Sequence, residues 1–514
     1  MQAPTRTQLA WLIALLVAWA LFGLSGRGAW APDEAISLGW LLDLRAGEVV
    51  PAPAFTLLSD LTARLAAPWL DLQDGARLAS GLWTLAALLF TALAARELFG
   101  PAYGAPAALA LMGGFGLMLR AHALLPEIVL LAAHAGLLYA LALARRRPLV
   151  GGLGIGIVLL LLAASRGLID LSAGLAIVAL AAALPGGRVR MQSVLVALAA
   201  VALTLMIGLI LRPGQAEPFM VLPAPAQDPV TLFRLLLWFA WPLWPLALWT
   251  LWHQHRRLGR ETALHLPLVS LGVLLILALW PAHSREGHAL PLLAPLALLA
   301  AHAVGNLRRG AAQAFYWFGV VTFLFFGVAF WVYFAALEWG WPAALSAHLY
   351  RLTPAYPSGT LSTAELGVAV AASLAWLVAI PLFPRASVRP ILVWATGMAL
   401  SWVLLISLFK PWAEAGWGYR PLLAGIERAL PAAACLDAEV DPAMHALLRQ
   451  RLGNRLGAGT GCAHLLRLEP VRPPASATPE ALPAEPTAAG TVLWSGFRPR
   501  NKTRVYTLYR RDAS

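Results

Sequence analysis

Apolar residues run along this chain in long blocks separated by short polar punctuation. Most blocks are long enough to cross roughly 30 Å of hydrocarbon as a helix. The pattern predicts about thirteen spans, near 9–26, 77–95, 105–120, 124–144, 149–165, 167–185, 191–211, 230–252, 264–281, 287–305, 314–337, 365–383 and 390–409. Between the first two lies the longest polar connection, 27–76. Its stretches 34–46 and 53–68 mix apolar residues with Arg and Asp, as helices lying in the membrane interface do. The connections 212–229 and 338–364 are rich in Pro and aromatics, and beyond 410 the chain turns polar. There 425–466 reads as a compact piece, 469–489 as a Pro/Ala/Glu linker, and TVLWSGFRPRNKTRVYTLYRR as two strands joined by a turn at Arg498–Lys502. The predicted fold class is an all-α polytopic membrane protein over 1–409, with interfacial helices in the loop 27–76. A small α+β domain over 410–514 completes it.

Composition agrees with that pattern. Of 514 residues 60% are hydrophobic and 12% charged, about half the charged share of a soluble domain. An ordinary soluble enzyme and a disordered chain are both excluded. Thirty-six of the 38 basic residues are arginine, which with abundant Ala, Gly and Pro points to a GC-rich bacterial genome. The net charge of +13 does not signal nucleic acid, because the arginines fall in short loops between apolar blocks. With a cytoplasmic N-terminus, Arg6, Arg96, Arg145, Arg146, Arg147, Arg188, Arg190, Arg256, Arg257, Arg260, Arg308, Arg309, Arg385 and Arg389 all fall inside. The positive-inside rule therefore orients the chain in a bacterial inner membrane, with the C-terminal domain exported to the periplasmic side. Tryptophan clusters at 238–252 and 331–341 suit interfacial belts. The two cysteines, Cys435 and Cys462, then lie in an oxidising compartment and are expected to form a disulfide worth roughly 3 kcal/mol.

Topology also sorts the ionisable residues. Asp33 and Glu34 follow the first span. Arg120, His122 and Glu127 surround the start of the fourth. Ser165 and Arg166 sit between the fifth and sixth, and His283, Arg285, Glu286 and His288 between the ninth and tenth. All fall on the exported face. Carboxylates pressed against helix ends in a membrane protein are costly and mark function.

These residues carry a resemblance. APDEAISLGWLLDLRAGEVVPAPAF (31–55) is similar to the first exported loop of C-type glycosyltransferases (GT-C), in the aminoarabinose transferase and protein O-mannosyltransferase branch. Asp33–Glu34 occupy the place of that branch's Asp-Glu pair, and 46–51 and 53–55 those of its Gly-acidic-Val-Val-Pro and Pro-Pro-Leu segments. DGARLASGLWTLAALLFTALAARELFG (74–100) resembles its second helix, Glu127 its second acidic position, 165–167 its Thr-Lys-Gly turn, and 284–304 its Leu-Pro-rich helix. Ile36 stands where the aminoarabinose branch has an arginine, Pro51–Ala52 where it has a lysine, and His288 where a tyrosine is usual.

The resemblance implies transfer of a sugar from a polyprenyl-phosphate donor to an envelope acceptor (lipid A, a glycan, a lipid or a protein). It implies Asp33 as general base, with inversion, and Glu34 and Glu127 as positioning groups. Donor phosphate would be met by Arg166, Arg285 and His288, with Arg120 or Arg45 standing in for the missing loop cations. No cofactor is expected; Asp33 and Glu127 are of the type that holds magnesium or manganese, the one metal alternative. The competing readings are a non-catalytic relative that binds polyprenyl lipid and a lipid-linked-sugar transporter.

Overall fold

The computed structural model describes residues 4–166, 168–183, 194, 197–198, 201, 228–256, 262–279, 285–354, 356–383, 386–457, 461–470, 490–498 and 501–511. In chain order the helices are α1 Arg6–Leu21, α2 Pro32–Arg45, α3 Pro53–Ala66, α4 Leu72–Phe99, α5 Gly104–Met112, α6 Phe115–Arg120, α7 Glu127–Ala144, α8 Pro148–Arg166 and α9 Leu168–Ala183. They continue with α10 Pro229–Phe239, α11 Leu243–Gln254, α12 Thr262–Ala278, α13 Arg285–Ala289, α14 Leu293–Asn306, α15 Arg309–Glu338, α16 Ala343–Leu352, α17 Thr363–Leu382, α18 Arg389–Trp417, α19 Arg420–Ala429 and α20 Pro442–Leu452. Four strands complete the chain: β1 Leu436–Glu439, β2 His464–Pro470, β3 Thr491–Arg498 and β4 Asn501–Arg510.

Among the described residues seven helices are long and apolar enough to cross a membrane, eight if the bent pair α10–α11 counts as one span. Three more apolar helices, Arg6–Leu21, Ile169–Ala183 and Thr262–Ala278, are shorter. This is a multi-pass membrane protein. Most of the expected span 191–211 and of the linker 469–489 lies outside the described residues. Two blocks that read as single spans are broken. The block 105–120 divides into α5 and α6 at Gly113–Gly114, where the Trp394 indole packs and donates its N–H to the Gly113 carbonyl at 2.9 Å. The block 230–252 bends by 98° between α10 and α11. Pro242 has no N–H to continue the ladder there, and the Trp241 carbonyl accepts from Phe115 N at 2.9 Å instead.

The chain folds as two units. The first comprises 1–25, 50–327 and 371–403, and the second 26–49, 328–370 and 404–514. At the centre of the first unit stand α7, packed on α4 and α8, and α14, packed on α11. Both are apolar all round and almost wholly enclosed. Ala and Gly along α7 let its neighbours approach: Val158 and Phe90 come within van der Waals reach of Gly136.

In the second unit the sheet has the order β1-β2-β4-β3, with β1 and β2 parallel and the other pairs antiparallel. Leu466 faces Leu508 across β2 and β4, and both are fully buried. The β3–β4 hairpin lies where strand alternation predicts it. Cys435 and Cys462 are joined, with Cα atoms 5.4 Å apart, tying the start of β1 to the start of β2. Helix α2 belongs to this unit and packs along α20.

Candidate functional site

Helix α2 starts on an extended Ala31 with Pro32 as its first residue, so Asp33 and Glu34 fall in the first turn, where the helix dipole favours negative charge. The two neighbouring carboxylates are treated oppositely. Glu34 is buried, takes both guanidinium nitrogens of Arg27 at 2.9 Å, and accepts the Trp30 main-chain N–H at 2.9 Å. Arg27 is buried with it and lies 4.7 Å above the Trp30 ring. Asp33 is exposed, and its carboxylate accepts no hydrogen bond among the described residues; Ser37 donates only to its main-chain oxygen.

The segment leading into α2 is fixed from the end of α18 and the strand β3. Glu414 accepts the Gly28 N–H at 2.9 Å and the Trp30 indole N–H at 3.0 Å through one oxygen. A side chain at Gly28 would meet the other oxygen of Glu414 at 2.7 Å. Arg498 donates to the carbonyls of Trp30 (3.2 Å) and Trp417 (2.9 Å) and to the Tyr419 hydroxyl at 3.0 Å, stacking on that ring. Burial pushes the Tyr419 phenol up to about 12, with the negative charges of Asp441 and Asp33 adding to the effect and Arg498 opposing it. Arg45 is exposed at the opposite end of α2 from Asp33, eleven peptide steps past Glu34 and about 18 Å from Asp33 along the axis at 1.5 Å per residue.

The remaining expected residues gather in the first unit. Glu127 opens α7 and is half-buried. Gly287 of α13 lies against it so closely that a Cβ there would come within 2.6 Å of the Glu127 Cγ. One Glu127 oxygen accepts no hydrogen bond among the described residues. Arg120, at the end of α6, is paired through its Nε (2.9 Å) and Nη2 with Glu286 of α13, so this cation already has a carboxylate partner. His288 is buried one turn into the same segment. The structure thus gathers Arg120, Glu127 and His288 around α13. Arg166 closes α8 and Arg285 opens α13, but their side chains, like His283, lie outside the described residues. His122 is committed to the framework: its ring nitrogens lie 2.7 Å from the carbonyls of Met118 and Trp19, and it stacks on Trp402. No group of three or more His, Cys, Asp or Glu side chains suited to a metal ion occurs among the described residues.

Sequence reading did not single out Arg27, Glu414, Tyr419 or Arg498. Arg27 carried a signal, since a cation just before an acidic pair is its cheapest partner. Glu414 carried a weaker one, since it falls just past the expected last span, 390–409, and only the longer observed α18 makes it a helix residue. Tyr419 and Arg498 carried none, because only the tertiary fold brings them to Trp30.

No protein-family model matches this sequence, and no curated protein does. Among solved structures the chain is similar to ArnT from Cupriavidus metallidurans bound to undecaprenyl phosphate. The TM-score is 0.65 at 14% identity, over 98% of each chain. The apo state of ArnT from the same organism gives 0.65 at 15% identity over 97% of each chain. A looser likeness, TM-score 0.35 at 14% identity, to the Archaeoglobus fulgidus oligosaccharyltransferase spans 77% of this chain and 57% of that one and is too distant to build on. The chain thus shares the overall fold of those ArnT structures.

Proposed function

We propose that this chain is an inner-membrane glycosyltransferase that moves a sugar from a polyprenyl-phosphate donor to an envelope acceptor, with Asp33 as general base. The observation that carries this reading is the contrast at the first turn of α2, where a buried ion pair holds Glu34 and leaves Asp33 exposed with an uncommitted carboxylate. The likeness in fold to ArnT, whose structure holds undecaprenyl phosphate, supports the donor class.

The chemistry follows from the residue types. An acceptor hydroxyl attacks the anomeric carbon from the face opposite the phosphate, so the configuration inverts. Its proton passes to Asp33 as the new C–O bond forms, a step for which a placed carboxylate supplies about 10²–10⁴-fold. The old C–O bond breaks with its electron pair going to the polyprenyl phosphate. That leaving group needs cations and no acid. Arg166, Arg285 and His288 are the proposed phosphate contacts. Arg120 would join them by exchanging Glu286 for phosphate, an exchange that a partly exposed pair allows at lower cost than a buried one. Arg45, at the far end of α2, is suited to lipid headgroups or the acceptor and not to a donor at Asp33. Glu127 would hold the acceptor or one of the arginines. Asp33 and Glu127 are also of the type that holds magnesium or manganese, the one metal alternative. In this reading the N-terminus is cytoplasmic, and α2 and the C-terminal domain, 410–514, work on the exported side.

The test is donor discharge in proteoliposomes carrying polyprenyl-phosphate sugars together with extracted envelope lipids and glycans as acceptor. Wild type should release bare polyprenyl phosphate, and Asp33→Asn should not, while both show the same thermal unfolding. Retained discharge in Asp33→Asn removes Asp33 as base. Binding of the lipid with no discharge by wild type favours a non-catalytic relative.

A further inference from the structure

Helices α2 and α20 line an open-sided cavity of about 360 Å³ that the chemistry above does not use. Each helix contributes one face at i, i+3, i+4 and i+7: Ile36, Gly39, Trp40 and Asp43 from α2, and Pro442, His445, Ala446 and Arg449 from α20. The helices close the floor where Gly39 meets Ala446, since a Cβ on Gly39 would lie 3.0 Å from that of Ala446. Above the floor the walls carry different chemistry. Trp40 is half-buried, and its indole N–H has no partner among the described residues. Asp43 and Arg449 form an ion pair, each about a third exposed, and the exposed His445 ring makes no hydrogen bond among the described residues.

Helix α20 is held in place for this. Its N-cap Asp441 accepts the Ala443 and Met444 N–H groups at 3.1 Å, and the Tyr506 hydroxyl of β4 donates to it at 2.5 Å. Asp33 belongs to the same stripe of α2, one turn before Ile36 and about 10 Å along the axis from Trp40.

We infer that this cavity is a subsite for a pyranose ring of the acceptor, which makes the acceptor a glycan or glycolipid; the inference rests on the transferase reading above. A pyranose offers a flat C–H face and a rim of hydroxyls. An indole covers such a face, and a carboxylate beside a guanidinium supplies both acceptor and donor for the rim. The volume lies at the small end of ligand sites and gives room for a sugar ring. Ion pair and imidazole also argue against a lipid tail. A ring on Trp40 extends along the α2 stripe toward the Asp33 carboxylate, which would take the proton from a hydroxyl of the same acceptor.

Binding is tested apart from turnover. Full-length protein in nanodiscs, free of sugar-headed detergent, is titrated calorimetrically with cellobiose, lactose and N,N′-diacetylchitobiose. Wild type and Asp33→Asn should bind at least one of them equally well. Trp40→Ala should weaken that binding about tenfold or more, with Trp40→Phe retaining most of it. Arg449→Gln should weaken it as well and serves as the second variant if Trp40→Ala does not fold. No binding by wild type, or unchanged binding in Trp40→Ala and Arg449→Gln, overturns the subsite. Trp40-dependent binding without donor discharge by wild type overturns the transferase reading and leaves the subsite standing.

Discussion

The first turn of α2 and the surroundings of α13 use the same side-chain types in different ways. At α2 the carboxylate–guanidinium pair Glu34–Arg27 is buried, bidentate and braced by a main-chain N–H, and the adjoining Asp33 is left open. At α13 the pair Arg120–Glu286 is partly exposed, and Glu127 keeps an oxygen without a partner among the described residues. A buried pair that loses one member leaves an uncompensated charge, so it acts as rigid framework. A partly exposed pair costs little to exchange, so it suits a region that must release its cation to an arriving anion. Under the proposed reading, the first pair is framework beside the base and the second is a cation that an arriving phosphate could take over.

The largest expected effect tests the open carboxylate. Asp33→Asn should lower donor discharge about 10²–10⁴-fold while moving stability by less than about 0.5 kcal/mol, read from turnover and thermal unfolding on one preparation. Its neighbour should behave in the opposite sense. Glu34→Gln strands Arg27 in the interior and should cost about 3–5 kcal/mol of stability, seen as a lowered unfolding midpoint. If Glu34→Gln unfolds like wild type, the Glu34–Arg27 pair is not framework. At α13, Arg120→Gln should change stability by less than about 1 kcal/mol yet weaken retention of polyprenyl phosphate. A large loss of stability there would make that pair framework too.

The smallest effect concerns Tyr419. Its phenol is raised to about 12 by burial first and by nearby acids second. A raised value means the folded state keeps the proton: the stabilisation is present below the ordinary phenol range near 10 and is lost as pH rises through about 12. Between pH 5 and 9 Tyr419→Phe should leave the pH–rate profile unchanged, and ultraviolet titration should show one late-ionising phenol fewer in the variant.

The two regions were legible in the sequence to different degrees. Prolines at 32 and 53, each followed by a mix of apolar and polar residues, mark the starts of α2 and α3. The expected stretches 34–46 and 53–68 fall within two residues of the observed helices. The β3–β4 hairpin is equally readable, because alternation and a turn are local signals. The breaks at Gly113–Gly114 and Pro242 were harder. Hydropathy is continuous across both, and the breaks depend on Trp394 packing and on a hydrogen bond from Phe115. For the site, Asp33 and Glu34 were found as a pair and given different roles by resemblance, but no local signal said which of them is already paired. Their difference depends on Arg27 and on Arg498, some 465 residues downstream of Asp33, reaching the Trp30 carbonyl. A sequence shows which acids stand at a helix start; only the fold shows which of them is already paired.

The most direct test is mass spectrometry of the lipids that co-purify with wild type and with Asp33→Asn. Wild type should carry bare polyprenyl phosphate and the variant an undischarged polyprenyl-phosphate sugar, which would also identify the sugar. The same bare lipid on both proteins, or no polyprenyl lipid on either, would contradict the transferase reading.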